Sequence, residues 1–133
     1  MALQLNQLEA WFLRYEERFE EGTFVDNGVE RKERRNSCYL VKVAMLCDAQ
    51  AIFFLCPKCY ETNNGSIGTH GVIVTFRGRG VPDHLGSHNA EKKPTRWDVV
   101  GTSIDDLTCI PSIQLIDGCK WHGFIRGGLI VNA

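Results

Sequence analysis

Apolar and polar positions divide the chain into a helix-patterned start and a longer β-patterned remainder. Leu5, Leu8, Trp11, Phe12, Tyr15 and Phe19 recur at spacings of three and four, with Arg14, Glu16, Glu17 and Arg18 between them. That period predicts an amphipathic helix over residues 4–20, and Gly22 stands where its stop is expected. Two uses suit the stripe: packing on a sheet, or offering Trp11, Tyr15 and Phe19 to a partner. Asp26-Asn27-Gly28 marks a turn. The basic run after it, Arg31-Lys32-Glu33-Arg34-Arg35, reads as a solvated loop or strand edge.

From Cys38 the period shortens. Val41, Val43 and Met45 alternate with Lys42 and Ala44, so Tyr39–Leu46 reads as a strand. Ala51–Leu55 is a short continuous apolar run that leads directly into Cys56, and Val72–Phe76 is a third strand. Residues 78–96, with three glycines and two prolines, read as one long mobile loop. Trp97–Val100 predicts a short strand, and Asp105-Asp106 a turn. Ile110–Ile116 predicts a strand whose Pro111 suits an edge or a strand start. Gly123–Val131 predicts a hairpin closed by Gly127-Gly128. The class is mainly β (α+β): one antiparallel β domain with an N-terminal amphipathic helix. The division expected is 1–35 for helix and basic linker, and 36–133 for a metal-binding β domain.

Two ligand pairs stand out on this frame: Cys56-Pro57-Lys58-Cys59 and Cys119-Lys120-Trp121-His122. Cys56, Cys59, Cys119 and His122 make a Cys3His set, the ligand count and types of a closed structural zinc site. Sixty positions separate Cys59 from Cys119, so the ion would join distant parts of the fold. A redox dithiol at Cys56 and Cys59 is the competing reading, and it expects the motif to open a helix in a βαβ unit. His70, 11 positions after Cys59, is a solvated histidine by default and otherwise a substitute ligand or a functional group beside the ion. Cys38, Cys47 and Cys109 read as buried small hydrophobes. His84 and His88 read as loop residues.

Composition narrows the function classes. With 133 residues, 44% of them hydrophobic, the chain suits one domain with a modest core. A net charge of −1 gives no global attraction to nucleic acid or anionic membrane, and no aromatic residue interleaves the basic run. No apolar run reaches the roughly 20 residues of a membrane span. Met1–Leu8 lacks a signal-peptide pattern, which predicts a cytoplasmic protein with reduced cysteines.

The second pair is similar to the Cys-x-Trp-His-Gly cluster loop of Rieske proteins, a likeness that implies stacked knuckles and, as a minor alternative, a [2Fe–2S] cluster. That family pairs it with Cys-x-His, whereas this chain has Cys-Pro-Lys-Cys. From Ile52 onward the chain also resembles a family of small uncharacterised bacteriophage and prophage proteins. The likeness rests on Phe54–Tyr60, Asn64, Gly68–Gly71, Arg96-Trp97, Gly101-Thr102, Asp106-Leu107 and Gly118–Ile125, with Gly128 beyond. It implies a phage-encoded product in the bacterial host's cytoplasm, with Cys56, Cys59, Cys119 and His122 as its ligand-like positions. The expected role is binding of a host protein, as an anti-CRISPR-like or other counter-defence inhibitor. The alternative is a small metalloenzyme with His70 beside the ion and Asp98 or Asp105 in support.

Overall fold

The stripe from Leu5 to Phe19 satisfies a second period as well, and that period prevails. Trp11, Leu13, Tyr15 and Phe19 all occupy odd positions, so the segment can alternate as a strand. In the computed structural model, which describes residues 3–133 apart from the side chain of Arg35, the predicted helix is replaced by a 3₁₀ turn at Leu5–Leu8 and a strand, β1, at Trp11–Asp26. Leu5 and Leu8 remain fully buried. The deciding partner is β2, Val29–Val43, which pairs antiparallel with β1 along its whole length. Asn27 and Gly28 close the hairpin with φ of 50° and 77°, the two positive values that a two-residue primed turn requires. The basic run is therefore part of a strand: Arg35 and Arg34 lie opposite the acids Glu20 and Glu21, while Lys32 lies opposite Thr23 and Arg31 opposite Phe24. Continuity of β2 from Val29 to Val43 carries one element across the expected division at residue 35.

The remaining elements are β3 (Ala51–Leu55), a helix α1 (Pro57–Asn63), β4 (Gly71–Thr75), β5 (Asp98–Val100), β6 (Thr108–Gln114), β7 (His122–Arg126) and β8 (Leu129–Asn132). They form two antiparallel four-stranded sheets, ordered β2-β1-β3-β4 and β5-β6-β7-β8. The mainly β expectation holds, and the strand predictions from Ala51 onward land within a few residues. Gly127 and Gly128, with φ of 54° and 78°, close the last hairpin as predicted. Pro111 lies within β6, a central strand, but just past the end of β5, which pairs only with Thr108–Ile110. A register shift between Cys109 and Ile113 accommodates it.

Both sheets contribute to one core. Phe54 and Ile52 of β3 and Val74 of β4 are fully buried, as are Ile125 of β7 and Leu107. Phe54 meets Trp121 edge-on at 6.0 Å, joining the layers beside the second ligand pair. The 78–96 segment lacks regular strands, yet it is tied down. Arg96 donates to the carbonyls of Pro82, Leu85, Ser87 and Thr95 and to Thr75 Oγ1, all within 3.1 Å.

The β1–β2 hairpin outgrows this core. Pairing of β1 with β3 covers only Trp11–Leu13. Beyond that point two strands continue alone for roughly 40 Å, at about 3.3 Å per residue. Phe19 and Val25 are 69% exposed on this arm. No helix among the described residues is long and apolar enough to cross a membrane.

Candidate metal centre

β3 delivers Cys56, fully buried, to the N-cap of α1, where Pro57 at the first helical position needs no amide partner. One helical turn later Cys59 faces the same point. The motif thus does open a helix, as the redox reading requires, but β3 and β4 are antiparallel, so this is no βαβ unit. Cys119 arrives from the other sheet, in the link between β6 and β7. The left-handed Lys120, φ 54°, turns that link.

The histidine that meets the three cysteines is His70, and His122 lies elsewhere. Pairing of β3 with β4 sets Cys56 opposite His70, whose carbonyl accepts the Cys56 amide at 2.9 Å. The Sγ atoms of Cys56, Cys59 and Cys119 and a ring nitrogen of His70 lie within 4.8 Å of one another, so these four residues can hold a metal ion. Cys56 Sγ is 3.5 Å from Cys119 Sγ, and His70 Nε2 is 3.4 Å from it. His70 Nδ1 lies 3.3 Å from the Gly71 carbonyl. A proton held there leaves the Nε2 lone pair facing the sulfurs. Gly71 is also needed for space, because a Cβ there would stand 2.1 Å from the Phe53 ring.

His122 lies outside this cluster for a simple reason. Trp121 turns into the core at 3% exposure, and alternation at the start of β7 sends the next side chain outward. His122 Nε2 instead meets Ser112 Oγ at 3.0 Å.

The thiols divide electrostatically. Burial pushes the Cys56 thiol up to about 12, with the backbone amides of Cys59 and Lys58 opposing and the neighbouring Cys119 reinforcing. Burial also raises Cys59. For Cys119 burial acts upward, but hydrogen bonds from His70, the Trp121 amide and the two other cysteines outweigh it and draw the thiol down to about 6. One sulfur is thus readily a thiolate, and a cation would favour ionisation of the other two. Lys58 Nζ bonds the Cys119 carbonyl at 2.8 Å, tying the two loops without occupying a sulfur.

Other expected positions are placed differently. All six cysteines are free; Cys38 and Cys47 are exposed rather than buried, while Cys109 is buried as expected, which pushes its thiol up to about 12. Asp98 pairs with Arg77 at 3.2 Å and Asp105 accepts from Asn6, so neither stands in the cluster. Trp11 stacks on Phe53 at 4.9 Å beneath Lys42, and Tyr15 is half-buried, leaving Phe19 the open member of the predicted contact trio. No protein family, curated protein or solved structure matched this chain.

Proposed function

We propose that this chain is a zinc-stapled, non-enzymatic β domain that presents the β1–β2 arm to a protein partner. The arm carries the reading. A two-stranded ribbon is marginal in water, and Phe19 and Val25 on it remain 69% exposed. These residues add nothing to the core, so contact with another protein is the use that suits them. The bacteriophage-like motifs favour a host bacterial protein as that partner, with counter-defence as the purpose. Reduced cysteines around a metal suit the bacterial cytoplasm.

Zinc fits the donors. Zinc–sulfur bonds of about 2.3 Å at the tetrahedral angle separate two sulfurs by about 3.8 Å, close to the spacing between Cys56 and Cys119. Four ligand atoms converging on one point suit a single ion, whereas a two-iron cluster spreads its ligand pairs over two centres. With His70 as fourth ligand, no position is left for a catalytic water, which favours a structural role over the metalloenzyme.

Replacing Glu17–Cys38 by Asn-Gly tests the arm, because it closes the same hairpin between the paired Glu16 and Tyr39. The shortened protein should fold, bind one zinc and lose a partner that the full chain captures from bacterial lysate. Retained capture, or failure of the shortened chain to fold, would refute the arm's role; bound iron with visible absorption would refute zinc.

A further inference from the structure

The two sheets part at Trp97, and the gap they leave is built from bare strand edge. Trp97 bridges the layers there. Its backbone N–H donates to Thr75 O at 3.0 Å, its carbonyl accepts from Arg77, and its indole donates to Ser112 O at 3.1 Å. The chain then enters β5, which covers β6 only as far as Ile110. From Ser112 onward β6 has no strand on that side, and β4 is likewise the outer strand of its own sheet. Between them lies an open-sided groove of about 610 Å³, with Val72, Ile73, Trp97, Ile113 and Leu115 on its apolar walls.

Hydrogen-bond phase fixes which backbone groups face this groove. Leu115 N donates to Trp121 O at 2.9 Å, while His122 O accepts from Ala133 and so faces β8. The Gln114–His122 pair is therefore the non-bonded kind, and the N–H and C=O of Gln114 point away from β7 into the groove. On the opposite wall, the bonds of Cys56 to His70 and of Phe76 to Gln50 assign the even-numbered residues of β4 to β3. Ile73 thus faces the groove, where Ser87 Oγ already occupies its carbonyl at 2.9 Å. On the β6 wall the Ser112 carbonyl is likewise taken, by the Trp97 indole, while the N–H and C=O of Gln114 stay open to a ladder.

We propose that the edge from Ser112 to Ile116, the end of β6 and the two residues after it, is a docking site for an extended peptide segment of a partner protein, which adds there as a strand alongside Gln114. Five residues at about 3.3 Å each match this length of edge. A cavity of 610 Å³ is within the roughly 300–1,000 Å³ of ligand sites. Main-chain bonds would supply affinity, and alternate side chains would meet the apolar walls. Asp117 is the one charged residue lining the groove, with no lysine or arginine among its neighbours there. The segment that fits therefore alternates apolar and polar residues and carries a cation at the Asp117 end. The groove borders β4, at the edge of the first sheet opposite the arm, so neither reading depends on the other.

Selection of a random decapeptide library against the zinc-loaded full chain provides the probe. Binders should be enriched in the alternating, cationic pattern. Methylating their backbone amides one at a time should weaken binding about tenfold at every second position, as expected for loss of one hydrogen bond. Bound peptide should slow exchange of the Gln114 amide. Gln114→Pro, which removes that donor but none bonded to β7, should weaken binding about tenfold. If that variant fails to fold, the methylation scan and the exchange measurement still decide. A selection without binders, methylation losses without a period of two, or protection confined to the arm would overturn the proposal.

Discussion

The outer arm and the body of this protein are built from the same kind of antiparallel strand, yet different forces hold them. In the body, β3 and β7 bury Phe54, Trp121 and Ile125 between two sheets, and the cysteine–histidine cluster links one sheet to the other. In the arm, neither face is covered, and stability comes from cross-strand pairs: Glu21 with Arg34 at 2.5 Å, and Arg18 over the Tyr39 ring at 4.6 Å. Burial and metal ligation contribute several kcal/mol per site, whereas an exposed pair contributes less than about 1 kcal/mol. The difference teaches where each part can tolerate change.

The largest effect should come from the cluster. Cys119→Ser or a strong chelator should unfold the body, because binding of a structural zinc, about 10–16 kcal/mol, is coupled to folding. His70→Ala should lose metal and stability, whereas His122→Ala should retain both. Metal content and thermal melting by circular dichroism give the answer, and equal behaviour of the two histidine variants would rule out His70 as the ligand. Next come the aromatic anchors. Trp121→Ala should cost about 3–5 kcal/mol in urea unfolding. Phe19→Ala on the arm should stay within about 0.5 kcal/mol, and a comparable loss there would show the arm to be covered.

Smaller effects should separate the arm further. Arg34→Glu places two acids opposite each other and should weaken the ribbon by about 0.2–1 kcal/mol, less at high salt. The melting of the body should not change. In the body, Asp106 accepts the amides of Thr102 and Ser103 and the Thr102 hydroxyl, which hold its carboxyl down to about 2. Its folded value lies below the ordinary carboxylate value of about 4, so its contribution is complete above roughly pH 4 and is lost as pH falls through about 2. Asp106→Asn should therefore melt slightly below the native protein at pH 5 and match it near pH 2.

Legibility in the sequence followed the range of the interaction. Ala51–Leu55, Val72–Phe76 and both glycine turns could be read because strand alternation and positive φ are local demands. The segment from Leu5 to Phe19 could not, since its apolar residues satisfy a period of 3.6 and a period of two alike. Recognising the acids of β1 and the bases of β2 as partners across Asn27-Gly28 would have decided it. Similarly, extending the β3–β4 register by one residue pair would have set His70 beside Cys56, while close spacing to Cys119 favoured His122.

By itself the sequence determined a mainly β chain with three cysteines and a histidine suited to one ion. Only the tertiary structure decided which histidine joins them and which strands lie outside the core. Donor type is a property of each residue, but chelation requires that atoms from two sheets meet within 4.8 Å, and register and strand alternation set that meeting.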